Sequence, residues 1–198
     1  MRIRGTLSLV AGPNVEPLTL DEIGAHLNAD CSGEAAHVHA LRVAARQHVE
    51  SVTRRALLPQ TWDLKLHGFP CTGEGIEIPK PPAMSVVSVT YIDSAGVLRT
   101  WDTDLYDVDI PVGDAAQKAR ITPAYGQVYP ATRDVANSVV VRFTCGYASP
   151  TAVPAAIRSA MKLLIGHWYI NREAVNIGNI TSVVPLSATA LLSPYKVF

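Results

Sequence analysis

The segment Trp62-Asp-Leu-Lys-Leu-His67 alternates between apolar and polar side chains at every position. A period of two is typical of a β-strand with one buried face. Short β-favouring runs follow, separated by turn-forming residues such as Asp93-Ser-Ala-Gly96. These further strands are predicted at residues 76–78, 85–92, 97–101, 106–110, 119–122 and 138–144. Residues 60–150 are therefore predicted to form a small antiparallel β module.

On both sides of the β module the apolar period changes to three and four residues, which indicates helices. In residues 17–59 we expect a short helix with Thr19 at its N-cap and a longer helix at 34–58. Residues 151–182 contain another apolar stripe at helical spacing. Side chains that fall off the stripe of the long helix are Arg42, Arg46, Glu50 and Arg54. Because short helices cannot bury their stripes alone, the two helical parts are expected to pack together. The predicted fold is α+β, a helical module bracketing an inserted antiparallel β module.

Residues 183–198 form an apolar C-terminal tail, which we expect to be extended and weakly structured. Lys196 is its only charged side chain. A short apolar segment of this kind either folds back on its own domain or inserts into a groove of a partner. The pattern alone leaves both possibilities open.

The charge composition favours a surface covered by other proteins. Charged residues make up 17% of the chain, with 17 basic and 17 acidic side chains, against about 25% charged residues in an average soluble domain. Little net repulsion then keeps copies apart. The charge is also uneven, since residues 60–150 are net acidic and residues 151–198 are net basic.

Composition and spacing also exclude several classes of protein. No apolar run approaches the length of about 20 residues that spans a membrane, and the apolar stretch at residues 5–11 is too short and too polar for a signal peptide. Cys31, Cys71 and Cys145 lack the spacing of a disulfide framework or a zinc site. The chain also lacks the excess of basic residues that binds DNA through bulk charge.

The aspartates between residues 102 and 114 form the one conspicuous carboxylate cluster. An EF-hand that began at Asp102 would need glycine at its sixth position and glutamate at its twelfth, where the chain has Asp107 and Gly113. We interpret Asp102, Asp104, Asp107 and Asp109 as a solvated acidic patch. The histidines show no metal-binding spacing either, so neither a metal nor a cofactor is expected.

Three groups of motifs occur in a characteristic order along the chain. The helical parts contain Pro17-Leu-Thr-Leu-Asp-Glu-Ile23, Ala44-Ala-Arg46 with Val49-Glu-Ser-Val-Thr-Arg54, and His167-Trp-Tyr-Ile-Asn-Arg-Glu173. The β module is entered through Leu58-Pro-Gln-Thr-Trp62 and left through Arg142-Phe-Thr-Cys-Gly-Tyr-Ala148 with Val153-Pro154. The tail contains Leu191-Leu-Ser-Pro-Tyr195. In order and spacing this set resembles the head–tail connector (adaptor) proteins of tailed bacteriophages and phage-like gene transfer agents, from about Leu18 to Phe198.

The resemblance implies a non-enzymatic virion protein of the particle neck, assembled in the bacterial cytoplasm. Such adaptors form a ring, typically of twelve copies, beneath the portal protein. The implied partners are further copies of the chain, the portal protein, and the next neck or tail protein, such as a stopper or tail terminator. DNA would pass through the ring without sequence recognition, and acidic side chains facing the lumen would repel it. No membrane is implied.

The changes of period divide the chain into a helical part (17–59), the β module (60–150), a helix that packs on the first part (151–182) and a tail (183–198), and the resemblance implies that the tail docks on a partner. The smallest members of the family are mostly helical, so the β module is a departure from their pattern. Candidate portal-docking residues are Leu186, Leu191, Leu192, Tyr195, Lys196, Val197 and Phe198. Candidate contacts between ring protomers are Arg42, Arg46, Arg54, Trp168, Tyr169 and Arg172.

Two other functions remain as alternatives. A carbohydrate- or receptor-binding β module of a phage structural protein would expose aromatic side chains such as Trp101, Tyr106 or Tyr125. A cysteine-dependent hydrolase would join Cys145 to a histidine such as His167 in an enclosed pocket. No family signature surrounds Cys145, and a buried cysteine is usually a small apolar side chain, so this alternative is the weaker one.

Overall fold

A computed structural model of the chain describes residues 5–30, 32–71, 73–171 and 186–197. The chain divides into two compact units. We call the unit formed by Met1–Pro13 and Pro59–Gly146 the β unit, and the unit formed by Asn14–Leu58 and Tyr147–Phe198 the helical unit.

The β unit contains two antiparallel sheets. Its strands are β1 (Thr6–Ala11), β2 (Gln60–Leu66), β3 (Ile76–Ile78), β4 (Ala83–Ile92), β5 (Leu98–Trp101), β6 (Tyr106–Asp109), β7 (Ala119–Pro123) and β8 (Val139–Cys145). The five-stranded sheet has the order β1-β2-β8-β4-β5, and the three-stranded sheet has the order β3-β7-β6. The antiparallel β structure predicted from the alternating pattern is confirmed.

Strand β1 was not predicted from the sequence. It pairs with β2 from Thr6 opposite Lys65 to Ala11 opposite Thr61, with an irregularity between Leu9 and Ala11. Pairing with β2, which lies far along the sequence, places residues 6–11 in the β unit, so this strand depends on tertiary context.

The register of the central strands explains the alternation in β2. Leu64 lies opposite Val141 and Asp63 lies opposite Arg142. Leu64 and Val141 are buried on one face of the sheet, because successive side chains of a strand point to opposite faces. On the other face the Asp63 carboxylate accepts two hydrogen bonds from Arg142, from Nε at 2.8 Å and from Nη2 at 2.9 Å. These bonds from Arg142 lower the pKa of Asp63.

We expect Asp63→Asn to lower the free energy of unfolding at pH 7 by about 0.5–1 kcal/mol, since Arg142 is partly exposed and its ion pair is screened by solvent. A lowered pKa in the folded state stabilises the protein above the carboxyl's unfolded pKa, and this contribution is lost as the pH falls through the folded value. The variant should therefore lose less stability than the wild type when the pH is lowered from 7 to about 3. Urea unfolding at both pH values measures this, and equal losses in the two proteins would contradict it.

The helical unit contains the helices α1 (Leu20–Leu27), α2 (Ala35–Thr53), α3 (Ala155–Ile170) and α4 (Leu186–Leu192). Helix α1 begins at the predicted cap: the Thr19 hydroxyl accepts from the Glu22 N–H, and the Glu22 carboxylate accepts from the Thr19 N–H. Helix α2 ends five residues before the predicted limit, because Arg54 adopts a left-handed conformation with φ of 57°.

The helices share one apolar core, as the sequence predicted. Val38, Ala45 and Val49 of α2 pack there with the buried stripe of α3, which includes Ile157, Met161, Leu164 and Ile165. Helix α4 contributes Ala188 and Leu192 to the same core. The expectation of a weakly structured tail is therefore wrong for residues 186–195, which form α4 and a following 3₁₀ turn, Ser193–Tyr195. No helix in the described part of the chain is long and apolar enough to cross a membrane.

Candidate interaction surfaces

The C-terminal tail folds back on its own unit along one side. Leu192 and Val197 are buried, and Leu191 and Tyr195 are partly buried against the helical core. Phe198 lies outside the described residues. Burial of this side in the chain's own core contributes to stability, so Leu192 and Val197 belong to the protomer's own core.

Two hydrogen bonds attach the end of the tail to the end of α2. The Val197 N–H donates to the Thr53 carbonyl at 3.1 Å, and Arg55 Nε donates to the Tyr195 carbonyl at 2.6 Å. Arg55 is fully buried. Burial lowers the pKa of its guanidinium, and Tyr147 counteracts that effect. Since an arginine side chain keeps its charge in proteins, the carbonyl of Tyr195 serves as an acceptor for a buried cation.

The opposite side of the tail is open to solvent. Leu186 is 82% exposed at the start of α4, and Ser187, Thr189 and Ala190 are also exposed. Lys196 is half-buried. Of the candidate docking residues in the described chain, Leu186 is therefore the exposed apolar one. Deleting the whole tail would remove core residues as well, so a tail deletion would not separate docking from folding.

The candidate protomer contacts lie in different environments. Arg46 is only 8% exposed, because its guanidinium pairs with Glu16 and Glu50, both at 2.9 Å. Arg42 is partly buried and donates to the Leu18 carbonyl at 3.0 Å. The Trp168 ring contacts the His48 ring edge-on, and the Tyr169 hydroxyl donates to the Glu34 carboxylate at 2.8 Å.

The two remaining candidate protomer contacts are arginines. Arg54 is exposed, and Arg172 lies outside the described residues. The sequence did not indicate Glu16 as the partner of Arg46.

The four aspartates of the acidic patch are exposed to solvent. The Asp102 side chain accepts from the Asp104 N–H and caps a 3₁₀ turn, Thr103–Leu105. Asp107 and Asp109 lie on β6, an edge of the three-stranded sheet. Charged side chains on an edge strand oppose pairing with strands of other molecules. Among the described residues, no group of three or more His, Cys, Asp or Glu side chains is arranged to hold a metal ion.

Two of the three aromatic residues suggested for carbohydrate binding are buried. Trp101 and Tyr106 pack against each other at 4.8 Å between ring centroids, and Trp101 also contacts Phe69 and Tyr129. These rings form an interior aromatic cluster. Tyr125 is the exception, with its side chain fully exposed. An exposed aromatic groove built on Trp101 and Tyr106 is therefore not present.

Cys145, the cysteine suggested for a hydrolase, is buried at the end of β8 in the β unit. His167 belongs to α3 in the helical unit. A cleft of about 500 Å³ opens in the β unit beside Leu7, Leu64, Ile76 and Arg120. Neither Cys145 nor a histidine lines this cleft.

The chain is similar over nearly its whole length to chains in solved gene transfer agent (GTA) particles. A chain of the virion of a native GTA particle matches with a TM-score of 0.77 and 23% identity, and a chain of the neck of an empty GTA particle, computed with C6 symmetry, matches with 0.77 and 25%. A chain of the neck of a native GTA particle, computed with C12 symmetry, matches with 0.72 and 20%. Each alignment covers 98% of this chain and 96% of the other. No protein-family model and no curated protein matches the sequence.

The fold is thus that of chains found in the necks of GTA particles. This confirms the resemblance drawn from the sequence at the level of a structural neck chain of a GTA particle. The match covers both the helical unit and the β unit. The similar neck chain therefore also contains the β module.

Proposed function

We propose that the chain is a head–tail connector protomer, which forms a ring between the portal protein and the next neck or tail component. The observation that carries the proposal is the match of 98% of the chain to a GTA neck chain at a TM-score of 0.77. A ring of twelve copies is favoured by the C12 symmetry of a similar neck. Ring protomers are contacted by identical neighbours on two sides, which fits the low charge content of the chain.

In this role DNA passes through the ring without sequence recognition. The balance of 17 basic and 17 acidic side chains supports this, because the chain lacks the overall excess of Lys and Arg that binds DNA through bulk charge. A passage that releases DNA should not bind phosphates strongly.

We further propose that the portal is bound through the exposed side of the tail. The buried side of α4 belongs to the helical core, whereas Leu186 presents an apolar side chain to solvent. An exposed leucine at the start of a docked helix can enter an apolar groove of a partner while the helix keeps its fold.

Leu186→Ser is expected to weaken binding to purified portal rings at least tenfold, which corresponds to about 1.4 kcal/mol. Its thermal unfolding midpoint should remain that of the wild type, because Leu186 lies largely in solvent. Ile170→Ser is the matched control, since Ile170 is an exposed apolar residue of the same unit outside the tail. Native mass spectrometry with the portal measures binding and copy number together.

The possible outcomes separate the two parts of the proposal. Wild-type protein that forms no complex or ring with the portal would contradict the connector function. A complex that forms equally well with Leu186→Ser would retain the connector function and reject this docking surface.

A further inference from the structure

An aromatic side chain is presented on a tight turn of the β unit. The Gln127 N–H donates to the Ala124 carbonyl at 2.8 Å, and Gly126 has φ of 77°. A β-turn with positive φ at its third residue alone is type II, in which the second residue occupies the tip. That residue is Tyr125, whose side chain is fully exposed in the described chain.

The turn is held firmly at its base. The Ala124 N–H donates to the Leu105 carbonyl at 3.0 Å. On the other side the Tyr129 hydroxyl donates to the Glu74 carbonyl at 2.8 Å, and its ring stacks on Phe69. These bonds constrain the backbone that presents Tyr125, which reduces the backbone entropy lost when the ring becomes buried in a complex.

Folding does not account for a tyrosine at this position. A type II turn favours proline at its second residue and glycine at its third, and a fully exposed ring gains no burial energy. Tyrosine is instead a frequent anchor of protein interfaces, where the ring is buried and the hydroxyl is hydrogen-bonded. Val128, three residues after Tyr125, and Leu105, whose carbonyl accepts from the Ala124 N–H of the turn, are also exposed apolar residues.

The charge around this surface indicates the chemistry of its partner. Leu105 directly follows Asp104, and residues 102–109 contain four aspartates and no basic side chain. A matching protein surface would provide an apolar socket for the ring and basic side chains at its border.

We propose that the Tyr125 turn is a docking surface for a second neck protein, which receives the Tyr125 ring in an apolar socket bordered by Lys or Arg. The inference rests on the proposed connector function and assigns a role to the β unit. The acidic patch then serves as the charged rim of this contact, where it increases the association rate and the specificity.

The test uses the full chain in particles produced from a strain that lacks the wild-type gene. Tyr125 is replaced by photoreactive p-benzoylphenylalanine, with replacement of Val112 as the matched control. Val112 is 90% exposed and follows the other end of β6. We expect crosslinking at position 125 to a peptide of another neck protein that contains apolar and basic residues. The yield at position 112 should be at least about tenfold lower.

Substitutions provide an independent readout. Tyr125→Ser should reduce the yield of complete particles at least about tenfold, the range of an interface hot spot, without changing the thermal midpoint of the purified chain. Val112→Ser should change neither quantity. Equal crosslinking at both positions, no crosslink at position 125, or crosslinks to DNA or glycan would overturn the inference. If the chain is absent from purified necks, the proposed function itself fails.

Discussion

Arg46→Met is expected to destabilise the helical unit by about 3–5 kcal/mol, the usual cost of removing one member of a buried ion pair. Arg46 joins Glu16, which precedes α1, to Glu50 in the last turn of α2. Glu50 also accepts a hydrogen bond from the Leu57 N–H at 2.9 Å, so it cannot turn toward solvent without releasing that donor. The variant removes the Arg46 guanidinium from the carboxylates of Glu16 and Glu50, both of which have little exposure.

Urea unfolding of the full chain, followed by the helical circular dichroism signal, measures this change. Arg54→Met is the matched control, because Arg54 is an exposed arginine at the end of the same helix, and it should cost less than about 0.5 kcal/mol. Adding Glu16→Met and Glu50→Gln to Arg46→Met should recover part of the loss, since no unpaired charge then remains. An Arg46→Met variant as stable as Arg54→Met would show that the ion pairs contribute no net stability.

The same arginine shows where inference from the sequence ends. The helical period correctly placed Val38, Ala45 and Val49 in the core, because a local repeat determines which side of a helix is buried. It also placed Arg46 off that stripe, which suggested an exposed residue. Arg46 is buried because Glu16, 30 residues earlier in the chain, covers it. A single sequence does not reveal a pair over that separation.

In the β unit, too, local patterns were predictable from the sequence and pairings between distant residues were not. Strong alternation identified β2, and β-branched runs identified β4 and β8, because these signals are local. Strand β1 depends on pairing with β2, and the division into two sheets depends on the complete topology. Among the candidate surfaces, the turn could have been predicted from Gly126, because glycine favours turns. The full exposure of Tyr125 and the burial of Trp101 could be learned only from the structure.

Leu192→Ala is expected to lower the free energy of unfolding of the helical unit by about 2–5 kcal/mol, the range for removing a buried leucine side chain. Leu192 is 2% exposed and packs in the same core as α2 and α3. Leu186→Ala provides the comparison within one helix, because that side chain is 82% exposed, and it should cost less than about 0.5 kcal/mol. The two variants remove the same atoms from the two sides of α4, so their difference measures how far the tail belongs to the protomer's own core. Equal unfolding free energies would mean that the tail is not packed on the unit in solution. A large difference would mean that a portal must bind a tail that is already folded, because releasing it would cost the burial of Leu192 along with the bonds to Thr53 and Arg55.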